Sequence, residues 1–159
     1  MKKLLILFAF IATAFSGFSQ DYCEDIIIHR GEFDEKVVAT TPTTGVYLIR
    51  IDEDDMTHYF AGLQITADAK RVKGKLVTLN LEDGTKILVK ADLIEAFVDY
   101  DPDNYTEIYY YSTFIGLTEE QMKMLANRKL ISFKIGSLSC YNSASEDLMW
   151  YAKCLIENR

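Results

Sequence analysis

Residues 76–90, LVTLNLEDGTKILVK, constrain the fold of this chain more than any other stretch. Two β-prone runs flank Glu82-Asp83-Gly84, the pattern of a hairpin. A two-residue Asp83-Gly84 turn would pair Leu81 with Lys86 and Leu79 with Leu88, mixing apolar and charged residues on one face. A three-residue loop, Glu82-Asp83-Gly84, pairs Leu81 with Thr85, Leu79 with Ile87 and Val77 with Val89. That register gathers one apolar face, and a slip of one residue would turn it toward water. It requires a type I turn followed by a left-handed residue, which Gly84 supplies without steric cost. The sequence therefore predicts an antiparallel sheet with one dry face.

The first 19 residues read as a secretory signal peptide. Lys2 and Lys3 precede an apolar run over residues 4–15, and Gly17-Phe18-Ser19 offers small residues at the cleavage positions. The run is short for a bilayer core of roughly 30 Å, so no membrane span is expected in the mature chain. The preferred cut follows Ser19, with Ser16 and Gln20 as alternatives. Cys23 stands too far from a small-residue box for lipidation. Residues 20–159 then form one exported domain, periplasmic or secreted, large enough to bury a core without a metal. Taking Lys2 and Lys3 from 17 basic residues against 24 acidic ones leaves a formal net charge of −9. Such a chain repels phosphate backbones, which argues against nucleic-acid partners.

An exported chain with three cysteines suits one disulfide and one thiol. Cys140 and Cys154 are hard to join, because a helix starting near Ser143 carries Cys154 about 16 Å along its axis. Cys23 with Cys154 is the preferred pair. The competing reading makes Cys154 a small buried apolar residue.

Along the chain, residues 25–30 and 36–41 read as short strands joined by a polar turn at 31–35. Residues 45–51 and 56–66 form a second hairpin through Asp52-Glu53-Asp54-Asp55, with Ile51 opposite Met56, Leu48 opposite Tyr59 and Val46 opposite Ala61. Both faces of that hairpin are apolar, which suggests a central position. His58 is expected half-buried beside Ile49 and Phe60. Gly62 marks a bulge or a close backbone approach. A basic connection, residues 70–75, leads into the 76–90 hairpin; residues 92–98 and 105–115 follow as strands. Thr118 and Gln121 form a capping box with Leu117 and Met122 as its hydrophobic staple, opening a helix to Ala126 with Asn127 as a left-handed cap. Residues 130–135 make a strand. Ser143 and Glu146 form a second capping box before a helix whose Leu148, Ala152 and Leu155 make an apolar stripe.

Few residues carry a chemical signature. Asp99, Asp101 and Asp103 alternate as in a calcium loop, but Asn104 replaces the glycine, Tyr110 replaces the bidentate glutamate, and Pro102 stiffens the middle. A solvated acidic turn is favoured; calcium is the one cofactor worth naming, and it would bind loosely. No nucleophile elbow, phosphate-binding glycine loop or helical zinc motif is present. Tyr105, Tyr109, Tyr110 and Tyr111 offer an aromatic platform for a peptide, a glycan or a partner protein, against the reading that their rings pack the sheet. The expected function is a non-catalytic envelope or secreted binding module. The alternative is a small extracytoplasmic hydrolase whose acid pair the sequence does not identify.

The layout of Cys23 followed by EFDEKVVATTP, the VTLNLEDGTKILV hairpin, the LTEEQMKML helix start and the closing YAKCLI resembles a group of uncharacterised exported proteins of Gram-negative bacteria. The resemblance implies a single exported α+β domain and no activity, cofactor or catalytic residue. The fold expected is α+β: a curved antiparallel sheet of about seven to nine strands with two late helices packed on it.

Overall fold

The computed structural model describes residues 23–30, 36–43, 45–67 and 72–157. The expected signal peptide and its cut sites, the expected turn at 31–35, and Lys70 and Arg71 of the basic connection lie outside the described residues. The elements run β1 (Ile27–Arg30), β2 (Val37–Thr40), β3 (Val46–Glu53), β4 (Met56–Ala67), β5 (Leu76–Leu81), β6 (Lys86–Lys90), β7 (Glu95–Asp101), β8 (Thr106–Leu117), α1 (Glu119–Asn127), β9 (Leu130–Ile135), β10 (Leu138–Tyr141) and α2 (Ser145–Glu157). The fold is α+β, and every strand pairing is antiparallel. The strands divide between a curled six-stranded sheet, β1-β2-β3-β4-β8-β7, and a four-stranded sheet, β10-β9-β5-β6. Among the described residues no helix is long and apolar enough to cross a membrane.

The β5–β6 hairpin has the three-residue loop. Val77 faces Val89 and Leu79 faces Ile87. Leu81 N–H donates to Thr85 O at 2.9 Å, and Gly84 sits at φ +84°. The Asp83 carboxylate accepts from Thr85 N–H at 2.9 Å, an Asx turn that fixes the loop. Val77, Leu79, Leu81 and Ile87 are buried in one cluster with Leu48, Leu63 and Ile115 of the larger sheet. Leu148, Ala152 and Leu155 of α2 join the same cluster, as the stripe in the sequence requires.

The β3–β4 hairpin is tighter than its sequence implies. Glu53 faces Met56 and Ile51 faces His58, so the loop is Asp54-Asp55. Asp54 takes φ +52°, a region that a short polar side chain tolerates. A register shift of two residues preserves the faces, so the core set is unchanged. It releases Asp52 from the loop to accept from Arg50 Nε at 2.9 Å and Thr57 Oγ1 at 2.7 Å. It also carries His58 to an exposed rim, where the half-buried imidazole expected from the sequence is not found.

Both helices differ from expectation at one end. The Thr118–Gln121 capping box is present, with Gln121 N–H donating to Thr118 Oγ1 at 3.2 Å and Thr118 N–H donating to Gln121 Oε1 at 2.9 Å. Asn127, however, is the last helical residue rather than a left-handed cap. Its Nδ2 donates to Lys123 O at 2.8 Å, and the chain leaves through Arg128 in an extended conformation. The second helix, α2, begins at Ser145, and Glu146 in its first turn pairs with Lys129 at 3.0 Å.

Cys23 is bonded to Cys154 across a Cα separation of 5.3 Å, and Cys140 is a free, half-buried thiol. Beside the bond, Arg50 Nη1 donates to Leu155 O at 2.9 Å. Leu155 lies in the last turn of α2, where carbonyls lack intrahelical partners and carry the negative end of the helix dipole. The nearly buried guanidinium of β3 therefore caps α2 and fixes it to the centre of the larger sheet.

Gly62 is the close approach anticipated from the sequence. It faces Tyr47 across β3–β4, and a Cβ at this position would fall within the Tyr47 ring. The ring lies over the glycine and covers its backbone, a cross-strand compensation for the missing side chain. Gly62→Ala is expected to lower stability by about 1–3 kcal/mol by expelling the ring. Gly116→Ala has no neighbour within 4 Å and is expected to be neutral or stabilising. Urea midpoints of the two variants check this; equal midpoints refute the packing account.

Candidate functional site

Each strand of the six-stranded sheet has an inner and an outer face. Along β3 and β4 the inner positions Val46, Leu48, Tyr59, Ala61, Leu63 and Ile65 are buried. Parts of the outer face are apolar as well. Pairing places Tyr47, Gly62 and Phe114 in one row across β3, β4 and β8. The next row is Ile49, Phe60 and Gly116, and a further row sets Thr66, Tyr110 and Phe97 together. Tyr47 meets Phe114 edge-on with centroids 5.8 Å apart, and Phe97 stacks on Tyr110 at 4.7 Å. Both geometries are favourable aromatic contacts. Burial raises the Tyr47 hydroxyl above its ordinary pKa. Yet Met56, Phe97 and Phe114 remain 58%, 50% and 53% exposed. A one-sided antiparallel sheet ordinarily turns polar residues to water; here two apolar patches, the Tyr47 and Ile49 rows on one side and the Phe97–Tyr110 stack on the other, flank a polar row of Gln64, Ser112 and Glu95.

The surface is not flat. Gly116 presents no side chain, and two hollows flank its pairing with Phe60. One, of about 630 Å³, extends toward Arg50, His58 and the start of α1. The other, of about 350 Å³, extends toward Leu93, Glu95 and Thr113. Acids lie at both ends of the face. Glu53, Asp54 and Asp55 stand at the β3–β4 turn, and Glu95, Asp99 and Asp101 line β7. Glu53 pairs with Lys36 at 3.5 Å, and Glu119 in the larger hollow pairs with Lys123 at 2.8 Å.

The four tyrosines singled out in the sequence do not form one platform. Tyr111 is buried on the inner face. Tyr109 is half-buried on that same side, its hydroxyl donating to Glu107. Tyr105 is 81% exposed in the β7–β8 turn at φ +54°. Tyr110 joins the outer face through Phe97.

Asp99, Asp101 and Asp103 lie on or beside β7 but have local roles. Asp99 accepts from Tyr100 N–H at 2.8 Å. Asp101 Oδ1 accepts from Asp103 N–H at 2.9 Å and Asn104 N–H at 3.2 Å, and its Oδ2 accepts from Asn104 Nδ2 at 2.8 Å. The Asn104 side chain, then the turn amides, hold this carboxyl below its usual pKa, so its charge organises the turn. Among the described residues no group of three or more His, Cys, Asp or Glu side chains is placed to hold a metal ion.

Phe60, Phe97, Phe114 and Gly116 were not picked out as site residues in the sequence. Their signal is the second apolar periodicity of the long strands, legible once β4 and β8 are paired. No family model, curated protein or solved structure matches this chain.

Proposed function

We propose that this chain is an exported, non-catalytic module that binds a partner protein across the outer face of its six-stranded sheet. The observation that carries the reading is a pair of half-exposed apolar patches on that face, Phe60 with Phe114 and Phe97 stacked on Tyr110. The centre of the face favours a polypeptide over a glycan, because Ile49, Phe60 and Phe114 offer no hydrogen-bonding group to a sugar hydroxyl. The acidic ends favour a partner with a basic rim around an apolar centre. Export is supported by the Cys23–Cys154 bond, which persists in oxidising compartments, together with the leader-like start of the chain.

The test places a photo-crosslinking amino acid at position 114 or, as a control, at exposed Trp150 on α2. In the cells that make the protein, a discrete cross-linked species is expected from position 114 and lost on Phe60→Asp. Equal cross-linking from both positions, or none from 114, refutes the assignment of the face.

A further inference from the structure

The edge of the six-stranded sheet next to this face has its own chemistry. Among the described residues β7 pairs on one side only, with β8. Six of its seven residues are exposed, so its free edge is open to solvent. Natural edge strands block unwanted pairing with charge or irregularity. Here the charge has a single sign: Glu95, Asp99 and Asp101 share the outer face of β7 with Phe97, while Ala96, Val98 and Tyr100 alternate on the inner side. The Tyr100 N–H is capped by the Asp99 carboxylate. Gln64 N–H donates to Gly45 O at 2.7 Å, so the odd residues of β4 bond β8, the even residues of β8 bond β7, and the amides of Ala96, Val98 and Tyr100 are left facing the free edge.

We infer that β7 receives an extended, basic polypeptide segment of the partner as an added strand. This deepens the binding-module reading above and rests on it. Main-chain bonds to Ala96 and Val98 would supply register and affinity. Side chains facing Glu95, Asp99 and Asp101 would be lysine or arginine; those facing Ala96, Val98 and Tyr100 would be apolar. The segment therefore alternates basic and apolar residues, with an apolar residue at the one outer position opposite Phe97. A second copy pairing through its own β7 is disfavoured, since it would set carboxylates against carboxylates. A second copy offering β6, whose Lys86 and Lys90 are exposed, is the rival occupant.

The probe is a fluorescent peptide alternating lysine and valine, with valine also at the position opposite Phe97, titrated into the disulfide-bonded mature chain. Saturable binding is expected, with added hydrogen-exchange protection at Ala96 and Val98. N-methylation of the peptide's edge-facing amides removes about two hydrogen bonds and is expected to weaken binding at least tenfold, with charge unchanged. A block peptide of the same composition is expected to bind as weakly as the N-methylated one. Glu95→Lys with Asp99→Lys is expected to weaken binding by a similar factor. Equal affinity for the alternating, N-methylated and block peptides, or binding without protection at Ala96 and Val98, overturns the added strand. So does concentration-dependent sedimentation of the unliganded chain that the double lysine variant abolishes, which would assign the edge to a second copy. If peptide binding fails while the position 114 cross-link persists, the edge is wrong and the face stands. If the cross-link fails while the peptide binds as expected, the face is wrong and the edge stands.

Discussion

Cys23→Ser combined with Cys154→Ala is expected to lower the stability of the protein by about 4–5 kcal/mol, or on the order of 15 °C in melting temperature. The bonded residues are 131 apart in sequence, so the bond closes almost the whole described chain into one loop. In the chain-entropy account, a loop of that length removes the most freedom from the unfolded ensemble. Folded-state packing points the same way. All four residues of β1 are exposed, and β1 pairs only with β2 among the described residues. Little apolar burial holds that end of the sheet, and the bond to α2 is its main anchor. Loss of the bond should therefore release β1 amides to exchange before the core. Alanine suits position 154 because its environment is buried and apolar, so a deficit in the variant measures the lost bond rather than a misplaced hydroxyl. Cys140→Ser serves as the control and should shift stability by less than about 1 kcal/mol. The denatured, unreduced wild type should show a single reactive thiol. A double variant that melts with the wild type would remove the disulfide from this account of stability.

The disulfide pair was partly legible: helix geometry made Cys140 an unsuitable partner for Cys154, which favoured Cys23, while an unpaired, buried Cys154 stayed open until the structure joined the two. The β5–β6 register was legible because only one register sorts the apolar residues onto one side. The β3–β4 register was not, because registers differing by two residues bury the same side chains; the choice depended on Asp54 accepting a left-handed conformation. Local pattern also left open which strands pair at long range. Nothing in residues 56–67 names residues 109–117 as partners, so neither the division into two sheets nor the rows through Gly62 and Gly116 could be read directly. The division of the tyrosine cluster is different, because strand alternation alone sets Tyr109 and Tyr111 against Tyr110. Consecutive strand residues point to opposite faces, and Tyr109, Tyr110 and Tyr111 are divided between the core and the outer surface. Apolar alternation identifies a buried face well. It is less informative when both faces are apolar, which is the circumstance that creates the candidate site. The short β10 was also missed, although Gly136-Ser137 between two β-prone runs is a hairpin signal.

Gly136→Ala is expected to cost about 3–5 kcal/mol, far more than a left-handed glycine loses by itself. Gly136 is the first of two loop residues between β9 and β10 and sits at φ +56°. Conformation accounts for only about 1–2 kcal/mol of the expected loss. The remainder comes from what the turn is pressed against. A Cβ at Gly136 would lie 2.5 Å from Lys73 O and 2.6 Å from Gly74 O, which are backbone atoms and cannot rotate aside. They are fixed in turn: Gly136 N–H donates to Leu76 O at 2.9 Å, and Lys73 N–H donates to Ser137 Oγ at 3.1 Å. The turn thus fastens the end of the basic connection to β5. Gly84 separates the two contributions. It has φ +84° but no neighbour within 4 Å, so Gly84→Asn should cost about 1 kcal/mol or less, since asparagine tolerates this region. Asparagine at position 136 keeps that tolerance but still carries a Cβ, so Gly136→Asn should be nearly as damaging as Gly136→Ala. Urea midpoints for the three variants decide it. If Gly136→Asn matches Gly84→Asn, backbone conformation alone sets the cost, and the junction between the β9–β10 turn and residues 73–76 is not what holds the smaller sheet in register.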